Sequence, residues 1–141
     1  MTGVDTNVLV RYLTHDDPHQ SRKASTIIDE AATKGEKLLI HPIVLCELVW
    51  VLETAYDCGR SEVATTLDRI LRTAQFEVPD KETVWSAWAD YRSGKGDFAD
   101  YLIGRANVRL GASHTVTFDQ ELKGHRQFHV LQPRKLSGRT V

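Results

Sequence analysis

Thr2-Gly3-Val4-Asp5-Thr6-Asn7-Val8-Leu9-Val10-Arg11-Tyr12-Leu13-Thr14 opens the chain with a short apolar strand that runs straight into a helix, and an aspartate stands at the junction. The strand reads from Thr2 to Val4 and the helix from about Asn7 to Thr14. Downstream the alternation repeats. Asp17-Pro18 supplies a cap and a first-turn proline for a helix that reaches Lys34 and stops at Gly35. Leu38 to His41 reads as a second strand ended by Pro42. Ile43 to Tyr56 is apolar on nearly every side, which predicts a buried helix with Trp50 in the core. Gly59 ends it, and Ser61 caps a helix to about Ala74. Phe76 to Val78 is a third strand. Asp80 caps a helix carrying Trp85, Trp88 and Tyr91, which breaks at Gly94 to Gly96. Asp97 starts a helix to about Leu110, closed by Gly111. His114 to Thr117 and Phe128 to Leu131 read as a fourth and a fifth strand. Short strands alternating with helices predict an α/β fold, a three-layer sandwich whose short, mostly parallel sheet of four to five strands is flanked by helices.

With 141 residues, 41% of them hydrophobic, the chain is sized for one core. It carries no repeat, low-complexity tract or linker, so residues 1–141 are expected to form a single domain. No segment approaches the roughly 18 unbroken apolar residues of a membrane helix. The first residues lack the basic and apolar regions of a signal peptide, which makes a cytoplasmic location the expectation. Cys46 lies in an apolar run and reads as a small core residue, and there is no Cys-x-x-Cys pair for zinc or redox chemistry. The formal net charge of −1 argues against a partner held by bulk electrostatics alone, although an acidic metal site hides positive surface from that sum.

In a sheet of this kind ligands bind beyond the carboxyl ends of the strands. Asp5 follows the first strand and Asp119 the fourth, at the same edge. Asp97 and Asp100 lie three apart at the start of one helix and share a face. Glu47 interrupts Ile43-Val44-Leu45-Cys46-Glu47-Leu48-Val49-Trp50, where a carboxylate calls for a partner or a metal. Taken singly, Asp5 and Asp97 also read as helix caps, Asp119 as a turn residue and Glu47 as the partner of a buried arginine. Together, five carboxylates at one edge repel one another unless a cation neutralises them. All-oxygen ligands select Mg2+ or Mn2+ over zinc. The chemistry that follows is metal-assisted hydrolysis of a phosphodiester.

At these residues the chain resembles the PIN-domain nucleases, and among them the VapC toxins of bacterial toxin–antitoxin pairs. The resemblance runs from Val4-Asp5-Thr6-Asn7-Val8-Leu9 through Cys46-Glu47-Leu48 and Asp97-Phe98-Ala99-Asp100-Tyr101-Leu102-Ile103 to Thr117-Phe118-Asp119, nearly the whole chain. It implies that Asp5, Glu47, Asp100 and Asp119 are the catalytic acids. Asp97 would assist as a metal ligand through water or as the helix cap, with Asp100 favoured for the more direct contact. It implies that Asn7 and Thr117 orient the acids or a bound water. It also implies a Mg2+- or Mn2+-dependent endoribonuclease acting on structured RNA such as transfer RNA, a VapB-type antitoxin whose tail covers the site, and a homodimer with no membrane partner. Tyr101 departs from an alanine common in the family and is expected at the site edge or against a neighbouring subunit.

Arg11, Arg92 and Lys95 are candidates for holding RNA phosphates, and Arg134, Lys135 and Arg139 for a flexible basic arm; as exposed cations they read equally as solvated charge. His15 and His19 have zinc-ligand spacing, but Asp17-Pro18 breaks the helix between them. An aspartyl-phosphate phosphatase needs a second aspartate where Asn7 stands. Two other readings keep the fold: a housekeeping ribonuclease without antitoxin, and a metal-binding protein that acts by binding its partner and DNA.

Overall fold

The junctions named above become helix caps in the computed structural model, which describes residues 1–133. Arg134, Lys135 and Arg139 lie outside the described residues. Strand β1 (Thr2–Gly3) ends two residues before Asp5, whose carboxylate accepts the Thr6 N–H at 2.7 Å and starts α1 (Thr6–Leu13). Asp17 accepts the Gln20 N–H at 3.0 Å with Pro18 in the first turn, and α2 (Pro18–Lys34) closes on Gly35 at φ +67°. That left-handed backbone is the one a glycine adopts without a Cβ penalty. Strand β2 is Leu38–Leu39 and α3 is Pro42–Thr54. Pro42 therefore begins a helix where the sequence suggested only a strand end, because its missing N–H costs nothing in the first turn. His41 caps that helix, Nδ1 accepting the Ile43 N–H at 3.0 Å.

Helix α4 (Arg60–Arg72) starts two residues earlier than expected, with Gly59 and not Ser61 at its N-cap. Strand β3 is Phe76–Glu77, α5 is Lys81–Ser93 and α6 is Phe98–Arg109. Strand β4 (Thr115–Thr117), a 3-10 turn at Gln120–Leu122 and β5 (Phe128–Val130) complete the described chain.

All strand pairings are parallel, and they fall into two groups: β1-β2-β3, with Thr2 opposite Leu38 and Leu38 opposite Phe76, and β4-β5, with Val116 opposite His129. The α/β class and parallel sense follow the expectation; one continuous sheet does not. The strands are shorter than their apolar runs because only two or three residues of each make ladder bonds. The core lies between strands and helices and includes the fully buried Leu9, Ile40, Leu45, Leu48, Val84, Tyr91 and Phe98. Trp50 is a correction: it is 66% exposed, as is Ile43 at 64%. Leu45, Leu48, Val49 and Leu52 bury one side of α3, and the other side carries apolar residues in the open. No helix among the described residues is long and apolar enough to cross a membrane.

Candidate active site

A single residue separates Gly3 from Asp5 and Thr117 from Asp119, so the first and fourth strands each deliver an aspartate just past the carboxyl end. Asp119 is held locally. Its N–H donates to Thr117 Oγ1 at 3.1 Å, and its Oδ1 accepts the Glu121 N–H at 2.9 Å. Asp97 occupies the N-cap of α6, yet its carboxylate makes no capping bond. Asp100 sits one turn on. Burial pushes the Asp100 carboxyl above the usual carboxylate range; the charges of Asp97 and Asp119, and a hydrogen bond to Asp119, push it further. Three of the acids singled out by the sequence are thus neighbours that repel one another.

The other two lie at the head of α1 and on α3. Thr6 Oγ1 donates to Glu47 Oε1 at 3.1 Å and so ties the residue after Asp5 to Glu47. Thr6 is buried while Glu47 is exposed, which reverses the expectation of a buried glutamate: the carboxylate leaves the apolar side of α3 and faces out of the core. Helix α1 packs on α3, and α3 touches α6, so the two groups of acids stand on contiguous elements. Thr6 was missed at the sequence level, where a threonine after an acid reads as cap chemistry; its only signal was its place beside Asp5. Asn7 makes no hydrogen bond to these acids among the described residues. It lines an apolar groove with Val8, Arg11, Gln20 and Ile27.

Among the described residues no three Asp, Glu, His or Cys side chains converge closely enough to grip an ion as they stand. The donor set nevertheless fits a hard divalent cation: it is all carboxylate oxygen, and the crowding that raises Asp100 is the kind a cation relieves.

The turn ahead of Asp97 is built with little slack. Gly96 N–H donates to the Tyr101 hydroxyl at 3.0 Å. A Cβ on Gly96 would fall 2.5 Å from Leu122 Cδ2, and one on Gly94 would collide with the Tyr101 hydroxyl. Tyr101 is 3% exposed and packs against the His125 and Phe128 rings, so its ring is interior packing and does not face a neighbouring subunit. Beside it Asp90 takes a two-pronged ion pair from Arg105, 2.7 Å at each contact, with His125 Nε2 at 3.2 Å.

The candidate RNA-binding cations are scattered. Arg11 is committed to Gln20 at 2.7 Å and Asp16 at 3.1 Å. Arg92 stacks on Trp88, 4.7 Å from the ring centre. Lys95 is exposed and lines a cleft with Tyr101, Gln120, Lys123 and His125. That cleft is flanked by the segments that carry Asp97 and Asp119, which makes Lys95 the best placed of the three. Cys46 and Cys58 are free thiols; burial, and then the charge of Glu47, pushes Cys46 up to about 11, so it stays a protonated packing residue.

The fold and the acids at its strand ends define a class that comparison with known sequences makes definite. The PIN domain family matches residues 4–126, and the chain belongs to that family. It is also 30% identical over 126 residues to a VapC ribonuclease of Aquifex aeolicus (strain VF5), an alignment that covers 87% of this chain and 90% of that one.

Proposed function

We propose that this chain is a VapC-type endoribonuclease that hydrolyses phosphodiester bonds in structured RNA, transfer RNA among them, with Mg2+ or Mn2+ held by Asp5, Asp97, Asp100 and Asp119. Support comes chiefly from one observation: Asp100 is partly buried within electrostatic reach of both Asp97 and Asp119, which follows the end of β4. The similarity to a VapC ribonuclease supports RNA as substrate. A bound divalent cation supplies a counter-charge for the phosphate and lowers the pKa of a water that attacks it. The protein's part is to place the acids. Thr117 holds the Asp119 backbone, Thr6 orients Glu47, and Asp5 is fixed by its own cap bond. Glu47, tied to Thr6 through a hydroxyl and exposed, would accept a proton from the attacking water. Lys95 steadies a neighbouring phosphate. The same reading carries a VapB-type antitoxin as controlling partner and a homodimer as the assembled form.

The test is cleavage of a total-RNA pool by purified protein with Mg2+ or Mn2+, beside EDTA and Asp5→Asn controls. Discrete fragments that vanish in both controls are expected, and sequencing of their ends identifies the target. Intact RNA in every lane, with folded protein and either metal, would move the assignment to a protein that acts by binding.

A further inference from the structure

Gly96, the residue immediately before Asp97, is fixed at both of its backbone polar groups by residues from elsewhere in the chain. Its nitrogen side, Gly96 N–H, goes to the Tyr101 hydroxyl at 3.0 Å. Its oxygen side, the Gly96 carbonyl, accepts Arg60 Nη1 at 2.8 Å. The same Arg60 nitrogen donates to the Tyr91 carbonyl at 2.9 Å, near the end of α5. Its guanidinium carbon lies over the Tyr91 ring, 4.3 Å from the centre, and the Tyr91 hydroxyl donates in turn to Glu53 on α3 at 3.0 Å. Arg60 thus joins the first residue of α4 to the end of α5 and to the turn that launches α6. It makes no ion pair among the described residues: its partners are two carbonyls and an aromatic face.

A planar guanidinium with fixed donors suits such a bridge, and a flexible ammonium does not. The clamp sets the backbone angle at which Asp97 leaves Gly96. Asp97 sits at an N-cap, where an aspartate ordinarily turns back on its own helix, and here its carboxylate does not. We infer that Arg60 is a positioning residue which, through the Gly96 carbonyl, aims the Asp97 carboxylate at the divalent cation. The inference rests on the metal-site reading above. It makes Asp97 a ligand in its own right and not a mere helix cap.

The electrostatic sign makes the role testable. Arg60 is a cation near an acidic site, so deleting its charge alone should strengthen binding of Mn2+. Loss of positioning should weaken it. The experiment titrates the full-length protein with Mn2+ alone and follows free Mn2+ by electron paramagnetic resonance, with melting temperature measured in parallel. Arg60→Met and Arg60→Lys are each expected to bind Mn2+ about tenfold more weakly, the scale for groups that orient metal ligands. Tyr101→Phe, which removes the other half of the clamp and keeps the ring, should shift affinity the same way. In Arg60→Met, amide exchange at Asp97 and Phe98 should quicken while exchange in α3 stays slow.

Unchanged or tighter Mn2+ binding in a folded Arg60→Met protein overturns the positioning role and leaves the metal site standing. So does unchanged exchange at Asp97. If Arg60→Met does not fold, Arg60→Lys and Tyr101→Phe decide by the same affinity criterion. Wild-type protein that binds no Mn2+ overturns the metal reading itself, and the inference with it.

Discussion

Asp100 is partly buried, and burial first, then the charges of Asp97 and Asp119, oppose its ionisation. Asp100→Asn removes one of three crowded charges while keeping the shape. In the absence of divalent metal that variant should melt higher than the wild type at neutral pH, by calorimetry, because sites built for function store repulsion at the expense of stability. Its RNA cleavage should fall by more than the roughly tenfold to hundredfold that loss of a merely supporting neighbour costs. A less stable Asp100→Asn protein would mean that the carboxylate has a structural partner instead. The acids could be read from sequence because strand ends and helical spacing are local patterns. Thr6 and Arg60 could not. Thr6 bonds to a residue 41 positions away, and Arg60 bonds to carbonyls 31 and 36 positions away, contacts that no periodicity encodes.

Between elements, the packing of α6 on its neighbours decides how firmly the acids are held. Gly104 lies inside α6, where alanine would gain up to about 1 kcal/mol of helix propensity. A Cβ there would fall 2.6 Å from Phe128 Cζ on β5. Packing outweighs propensity, so Gly104→Ala should destabilise the fold by about 1–3 kcal/mol in urea titrations. The Asp90–Arg105 pair joins α5 to α6 with side chains only 10% and 24% exposed. Arg105→Met should cost about 2–3 kcal/mol at neutral pH, somewhat less than breaking a fully buried pair. Burial opposes the charge on Asp90, but Arg105 and then His125 hold its carboxyl below the ordinary range. A depressed carboxylate contributes its stability in full above the unfolded value near 3.9, and loses it as pH falls through the folded one. The stability gap between wild type and Arg105→Met should therefore be widest at neutral pH and narrow on acidification below about pH 4. Element boundaries were legible where chemistry punctuates the chain, at Asp17-Pro18 and Gly35. The orientation of α3 was not. A helix apolar all round offers no phase to read, and so Trp50 was placed inward when it faces out.

For the molecule as a whole, a ligand that binds only the folded state raises its stability by an amount set by concentration over Kd, about 2.7 kcal/mol at a hundredfold excess over Kd. Mn2+ should therefore raise the melting temperature of the wild type, EDTA should reverse the rise, and Asp119→Asn should lose most of it. An equal rise in Asp119→Asn would place the cation elsewhere. The architecture was legible as a class, strand–helix alternation giving parallel pairing. The division into β1-β2-β3 and β4-β5 was not, because it depends on how closely the first and fourth strands approach.

That division also parts the acids in chain order. Asp5 and Glu47 accompany the first three strands, and Asp97, Asp100 and Asp119 come with the last two. During synthesis the earlier portion leaves the ribosome well before the later one, and neither portion holds a full complement of ligands. On the metal-dependent reading proposed above, a truncated or half-made chain would lack the ligands needed to attack the RNA around it. On that reading the cutting tool would be armed only when Asp119 has emerged and docked.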